Sequence, residues 1–203
     1  MLTKKKGFSL VELMLSLLLG SILLAMVIGL YVTGVSSAAK SLKYSRLHTD
    51  LQSIMAIMET DIRRAGYGGS DFLVGSGGTK TVDSLNSGSS RCIVYSYNHN
   101  AAATITDTNR MGFRFAADKN EVQFGSGVDP LATNCYSQGH WTALSDENFI
   151  KITGLVFSES VVSNATATLR SVDIALSGEL LSDSDYKHAI NTTVQVRNIE
   201  VTH

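Results

Sequence analysis

The chain has 203 residues, a length that predicts one helix-anchored domain and argues against more than two domains. Its formal net charge is −1, and removal of three N-terminal lysines would take it to −4. An acidic balance of this kind gives no general attraction to nucleic acid, and outside those lysines we find no run of basic residues that would form a local patch.

The N-terminal residues combine a basic stretch with a long apolar run. Lys4 to Lys6 precede this run, and between Lys6 and Lys40 the only charged side chain is that of Glu12. The residues from Leu13 to Val32 are numerous and apolar enough to cross a bilayer core as one helix. Because basic residues before a membrane helix stay in the cytoplasm, we predict that everything after Val32 is exported.

Gly7 and Glu12 distinguish this segment from an ordinary anchor. A secretory signal has its cleavage site after a short apolar core, whereas the small residue Gly7 comes before the apolar run. Cleavage after Gly7 would leave the helix on the protein and create a new amine on Phe8. A carboxylate near the apolar zone costs roughly 2.5 to 3.5 kcal/mol and persists mainly when it is paired. We therefore predict that Glu12, one helical turn away, pairs with a Phe8 amine of its own or of a neighbouring helix.

The sequence from Lys5 to Leu13, Lys-Lys-Gly-Phe-Ser-Leu-Val-Glu-Leu, resembles the class III signal of type IV prepilins and type II secretion pseudopilins. The resemblance implies that a prepilin peptidase cleaves between Gly7 and Phe8 and methylates the Phe8 amine. It also implies that Glu12 helps to bring the subunit into a filament. The alternative is an uncleaved single-pass anchor with an isolated glutamate.

The helix is predicted to continue beyond the membrane, from about Ser9 to Ala65. No proline interrupts it, and apolar residues recur at the spacing of one helical face, at Leu47, Leu51, Ile54, Met55, Met58 and Ile62. Many major pilins have a proline where this chain has Gly29, so the helix is expected to be softened rather than kinked there. Gly66 to Gly69 are predicted to end it.

After the helix the sequence changes to polar loops and alternating segments. We predict a loop from Ser70 to Ser90, whose glycines lack the Lys-Ser/Thr of a phosphate-binding loop. Six strands are predicted to follow, at Ile93–Tyr97, Met111–Phe115, Glu121–Phe124, Phe149–Phe157, Leu169–Leu176 and Ala189–Ile199. The predicted fold is α+β and type IV pilin-like, with one face of an antiparallel β-sheet packed on the amphipathic half of the helix.

These elements predict four regions. They are a leader peptide at residues 1–7, a transmembrane and filament-core helix at 8–32, its amphipathic continuation at 33–66, and a β-rich periplasmic or extracellular head at 67–203.

Cys92 and Cys135 are the two cysteines, and both lie in the part predicted to be exported. Thiols oxidise readily outside the cytoplasm, so we predict a disulfide between them, which would stabilise the fold by roughly 4 kcal/mol on a chain-entropy estimate. The alternative is two unpaired, buried cysteines. A metal site at Cys135 and His140 would lack further ligands, and we predict neither a metal nor a cofactor.

Later motifs are similar to those of PilW-like minor pilins, namely Asp61–Gly68, Cys92–Tyr97, Gly112–Phe115 and Val196–Asn198. Cys135 leaves a long tail after it, whereas the cysteine pair of major pilins usually lies near the carboxyl end. The resemblance implies a minor pilin that helps to initiate pilus assembly and is incorporated into, or caps, the filament. It implies as partners the prepilin peptidase, other minor pilins, the major pilin and an inner-membrane assembly platform. The protein would lie in the inner membrane before assembly and on the cell surface afterwards.

Other functions remain open at this point. A type II secretion pseudopilin would have the same signal and helix. An adhesin would use the long polar loops at Ser70–Ser90 and Asn98–Asn109 for recognition. We find no hydrolase elbow, zinc-protease or nucleotide-binding motif, and therefore do not predict an enzyme. Ser182 to Asp185 offer only two carboxylates for calcium, and we favour a turn there.

Overall fold

The computed structural model describes residues 7–88, 90–133 and 138–201. One α-helix, α1, spans Leu10–Ile62, and short 3₁₀ helices lie at Ser70–Phe72 and Asp107–Asn109. The described residues also contain nine strands: β1 Val82–Ser87, β2 Ser90–Ser96, β3 Arg110–Ala116, β4 Glu121–Ser126, β5 His140–Ala143, β6 Ile150–Ser163, β7 Ala167–Leu180, β8 Asp183–Gln195 and β9 Glu200–Val201.

The chain divides into two compact units, residues 1–43 and residues 44–203. In the first unit, every described residue is an exposed part of α1 or of the three residues before it. In the second unit, the C-terminal part of α1 buries the six apolar residues predicted from their spacing. These are Leu47, Leu51, Ile54, Met55, Met58 and Ile62, and each contributes on the order of 1.5–3 kcal/mol by leaving water. The α+β prediction is confirmed.

The strands form two antiparallel sheets rather than the single sheet that we predicted. The first has the order β1-β2-β3-β4-β5, and the second has the order β6-β7-β8 with β9 paired to β7. At the edge of β6 that faces away from β7, the partners are one side chain of β1 and one loop carbonyl, not the backbone of a neighbouring strand. The Asn86 side chain accepts a hydrogen bond from the Phe157 N–H at 3.2 Å and donates one to its carbonyl, and the Asn120 carbonyl accepts one from the Ile152 N–H. A ladder cannot continue across these contacts, so the two sheets stay separate.

Three strands lie where no strand was predicted. The predicted loop at Ser70–Ser90 contains β1, whose Asp, Ser and Asn residues suit an edge that has only one neighbouring strand. β5 and β9 have four and two residues, too few for an alternating pattern to be recognised. β8 begins at Asp183, so Asp183 and Asp185 belong to a strand and not to the predicted turn.

Both sheets contribute to one core together with the C-terminal part of α1. Val172, Ile174 and Leu176 of β7 are buried, while the residues between them are partly or fully exposed, as their alternation predicted. The Tyr95 and Phe113 rings stack with centroids 5.7 Å apart within this core. A second, smaller cluster contains Val74, Cys92, Val94, Val128 and Ala132.

Candidate processing and assembly segment

The predicted cleavage site lies in an exposed stretch at the start of the described chain. Gly7 and Phe8 both precede α1, and the Phe8 side chain is 81% exposed. A peptidase needs an accessible backbone outside regular structure around the bond that it cuts, and this bond is exposed and lies in neither a helix nor a strand. The leader lysines, Lys4 to Lys6, lie outside the described residues.

Helix α1 begins just after this bond. The Ser9 carbonyl accepts the hydrogen bond of the Leu13 N–H at 3.1 Å, which puts Ser9 at the N-cap position that serine favours. Phe8 is therefore not yet helical in the uncut chain. Phe8 would have to become helical after cleavage for its amine to lie one helical turn from Glu12. The pairing of Phe8 with Glu12 stays a prediction.

Glu12 lies in the first turn of α1 and is exposed. A carboxylate at this place interacts favourably with the positive end of the helix dipole. No ion pair reaches Glu12 from any described residue. The residues around it are apolar or serine, so the charge is available to a cation that another helix or the processed N-terminus would bring.

The apolar part of α1 has no covering partner within the described chain. All residues from 7 to 46 are exposed, and no part of the most apolar stretch of the helix is buried. This helix is long and apolar enough to cross a membrane. Such a surface is unfavourable in water and requires lipid or other helices to cover it.

The glycines of this helix are not required by packing inside the chain. A Cβ atom added at Gly20, Gly29 or Gly34 would meet no atom within 4 Å. α1 continues through Gly29, whose carbonyl also accepts a hydrogen bond from the Thr33 hydroxyl at 3.1 Å. Small residues on an exposed apolar helix allow other helices to approach closely, which suits an assembly of such helices.

The end of α1 is held by the C-terminal segment of the chain. The Asn198 amide donates to the carbonyls of Arg64 and Ala65, at 3.2 and 2.8 Å, and the Arg197 N–H donates to the Arg63 carbonyl at 3.2 Å. Free carbonyls at a helix end need such partners. Gly66 follows with φ +75°, as predicted for a glycine that ends a helix. The capping role of Asn198 was missed, because only the folded chain brings it to the helix.

Asp61 connects the last turn of α1 to strand β2. Its carboxylate accepts a hydrogen bond from the Tyr95 hydroxyl at 3.3 Å and lies 3.8 Å from the Arg64 guanidinium. Burial, and then the negative charge of Asp61, raise the pKa of the Tyr95 phenol well above its ordinary value. The same two causes raise the pKa of Tyr97, while Arg64 opposes them.

The structure describes only one of the two cysteines. Cys92 is fully buried in β2, and the described residues contain no free cysteine. Cys135 lies outside the described residues. The disulfide between them stays a prediction.

Among the described residues, no group of three or more His, Cys, Asp or Glu side chains is arranged to hold a metal ion. The His48 and His188 rings lie 4.5 Å apart, but their other neighbours are Tyr44 and Gln52. His99 bonds to the Asn109 amide, and His140 is exposed in β5.

Comparison with known families gives two matches. A family model described as "Prepilin peptidase-dependent protein B" matches residues 40–196, and one described as "Prokaryotic N-terminal methylation motif" matches residues 2–28. The second match includes Gly7, Phe8 and Glu12, and the first extends from the end of the exposed helix through β8. No curated protein and no solved structure matches the chain.

Proposed function

The chain belongs to the prepilin peptidase-dependent protein B family, and we propose that it is a minor pilin that takes part in starting type IV pilus assembly and becomes part of the filament or its tip. The observation that carries this proposal is the exposed apolar part of α1, which Phe8 shortly precedes and whose first turn contains Glu12, a carboxylate with no ion pair to any described residue. A membrane helix that later packs among other helices needs such a surface. The similarity of Asp61–Gly68 to PilW-like minor pilins supports the choice of a minor component.

We propose that processing occurs in the inner membrane, with the head in the periplasm. The prepilin peptidase would cut between Gly7 and Phe8 and methylate the Phe8 amine. Glu12 would then pair with the Phe8 amine of a neighbouring subunit and fix the axial offset between the two helices. The major pilin, other minor pilins and the assembly platform are the proposed partners, and lipid covers the helix before assembly.

The cleavage step is tested by the mass of the purified protein. We expect the mature chain to begin with methylated Phe8, and we expect Gly7→Glu to leave the leader attached because a large acidic residue replaces the small one. Wild-type protein from cells that still begins at Met1 would refute the proposal.

The assembly step is tested by Glu12→Gln, which keeps the shape of the side chain and removes its charge. We expect the variant to be cleaved and inserted into the membrane normally, but to be missing from sheared filaments. Glu12→Asp keeps the charge and serves as the control, with at least partial incorporation. Equal incorporation of Glu12→Gln and wild type would rule out the pairing.

A pseudopilin of type II secretion is the nearest alternative, because the family matches apply to both. Deletion of the gene separates them: loss of surface pili with normal protein secretion supports a minor pilin. Loss of secretion with normal pili supports a pseudopilin.

A second candidate, ligand binding by the head, is favoured by one feature. The two loops that suggested an adhesin meet at a cavity of ≈ 480 Å³, lined by Ser70, Asp71 and Gly75 from the first and by Ile105 from the second, with Arg110 beside them. A binding screen with wild-type protein and an Asp71→Ala variant tests this candidate. Reproducible binding that the variant loses would support adhesion.

A further inference from the structure

Two sequence segments that resemble PilW-like minor pilins meet at the end of α1. They are Asp61–Gly68 and Val196–Asn198, and their contacts hold the helix end in place. Those contacts use the Asn198 side chain and the backbone of residues 63–65 and 197. The guanidinium groups of the arginines in these segments are not needed for them.

The same three arginines line one cavity. Arg63, Arg64 and Arg197 line a space of ≈ 290 Å³ together with Glu59 and Thr60. All three arginines are exposed. Arg63 and Arg197 form no ion pair with any described residue. Arg64 has two weak contacts, with Asp61 at 3.8 Å and with the Tyr97 ring, whose centroid lies 6.0 Å from its Cζ atom. Three positive groups around one cavity repel each other, and an anion between them would remove that repulsion.

The surroundings indicate what kind of anion fits. With three arginines and Glu59, the cavity wall carries two net positive charges, which one or two carboxylates would balance. A polyanion such as nucleic acid would bring more negative charge than the cavity can neutralise, and the net charge of −4 on the mature chain offers it no further attraction. No other basic side chain of the described chain lines this cavity, so it does not continue into the basic stripe that a nucleic-acid backbone requires. A guanidinium group pairs well with a carboxylate, because its planar fork matches the two oxygen atoms.

We propose that Arg63, Arg64 and Arg197 form a docking site for a carboxylate-bearing surface of a neighbouring pilin-like subunit. The identity of this partner rests on the proposed function, since a minor pilin has such subunits beside its head. Arginine is enriched where protein surfaces meet, and charge complementarity selects the correct partner and register. The site would therefore decide which subunit packs against this face.

The test uses the full-length chain, produced together with the other pilin-like subunits of its assembly and purified in mild detergent. We expect Arg197→Glu to lower the amount of co-purified subunit roughly fivefold or more, because an attraction becomes a repulsion. Lys119→Glu makes the same charge change at an exposed residue that does not line the cavity and should have no effect. Arg197→Gln should keep the wild-type unfolding midpoint, since only the backbone of Arg197 caps the helix.

A charge swap makes the test specific. Cross-linking of the complex first identifies the acidic residue of the partner subunit that lies at this cavity. That residue is then replaced with lysine, and we expect this change to restore the recovery of the partner with Arg197→Glu. Equal recovery with the wild-type chain and Arg197→Glu would overturn the site alone. Failure of the wild-type chain to recover any pilin-like subunit would overturn the proposed function and the site together. Binding of a short DNA duplex that Arg197→Glu abolishes, without an effect on subunit recovery, would identify nucleic acid as the ligand and also overturn the proposal.

Discussion

Tyr95 shows how one buried side chain makes stability depend on pH. The ring is fully buried, and its hydroxyl donates to Asp61 at the end of α1. Because the fold raises the pKa of this phenol, the folded state keeps its proton at a pH where the unfolded state has lost it. The stabilisation is complete below about pH 10, the ordinary pKa of tyrosine, and is lost as the pH rises above it.

We therefore expect the free energy of unfolding to fall above about pH 10, by at most about 1.4 kcal/mol per pH unit for this phenol. Tyr95→Phe should make this fall less steep and should cost about 1 kcal/mol at neutral pH through the lost hydrogen bond. The measurement is urea unfolding at pH 8 and pH 11, followed by the fluorescence of Trp141, the single tryptophan. Tyr67→Phe, at an exposed tyrosine, is the control. An unchanged pH dependence in Tyr95→Phe would contradict the assignment.

Position 66 requires glycine for two reasons, its backbone conformation and a close contact. Its φ is +75°, and an added Cβ would lie 2.8 Å from the Thr81 Cγ2 atom. Gly88 also has a positive φ, of +57°, but an added Cβ would meet nothing within 4 Å. The two residues therefore separate the cost of the backbone conformation from the cost of the clash.

We expect Gly88→Ala to lower the free energy of unfolding by about 1 kcal/mol, which is the cost of a left-handed conformation in a residue with a Cβ. Gly66→Ala should cost about 2–4 kcal/mol, because overpacking adds to it. Thermal or urea unfolding of both variants provides the comparison. Equal losses would mean that Thr81 moves away at little cost.

At the scale of elements, a largely buried ionic network joins β9 to β7 and β6 of its own sheet and to the residue before β1 of the other sheet. Arg170 of β7 donates to Glu200 at 2.6 Å and to Glu159 of β6 at 2.9 Å, and Glu200 also accepts from the N–H of Thr81, next to β1, at 2.5 Å. Burial acts to lower the pKa of Arg170, but the two carboxylates outweigh it and raise the pKa. The group stays charged at every pH at which the protein would be studied.

Glu200→Gln should lower the free energy of unfolding by about 2–3 kcal/mol, because it leaves a largely buried guanidinium, 12% exposed, with a weaker partner. Glu179→Gln is the matched control, since it weakens a 2.9 Å ion pair with Lys151, whose side chain is 44% exposed. That variant should cost less than about 1 kcal/mol. Urea unfolding of the two variants is the measurement. A similar, small loss in both would mean that the network does not hold β9 in place.

At the scale of the whole molecule, the two units differ in whether their apolar residues are exposed or buried. The described residues of the first unit, 7–43, expose a largely apolar helix, whereas the second unit, residues 44–203, buries the apolar face of α1 from Leu47 to Ile62 in its core. The predicted boundary at residue 67 would separate this head from six of its buried side chains, and a boundary near residue 44 keeps them together.

We expect a fragment of residues 44–203 to be a folded, soluble monomer, while the full-length chain requires detergent or lipid. A fragment of residues 67–203 should not fold, because it loses six buried residues worth about 1.5–3 kcal/mol each, against a typical total stability of about 5–15 kcal/mol. Size-exclusion chromatography and circular dichroism test both fragments. A folded 67–203 fragment would show that the helix is dispensable for the head.

The helix, its buried face and the candidate processing segment could be predicted from the sequence, because each depends on residues close together in the chain. An apolar run defines the membrane segment, and the spacing from Leu47 to Ile62 defines one helical face. Gly7, Phe8 and Glu12 lie within six residues of each other. Most long strands were also predicted, since alternation along β7 is a local property.

Only the tertiary structure decided how distant segments meet. The division into two sheets depends on what lies beside β6, and the cap on α1 depends on Asn198, more than 130 residues away. The arginine cavity has the same origin: outside Lys4 to Lys6 the sequence has no basic run, yet folding brings Arg197 beside Arg63 and Arg64. Local patterns carry no information on such contacts, because their free energy is gained only when the long loop between them closes.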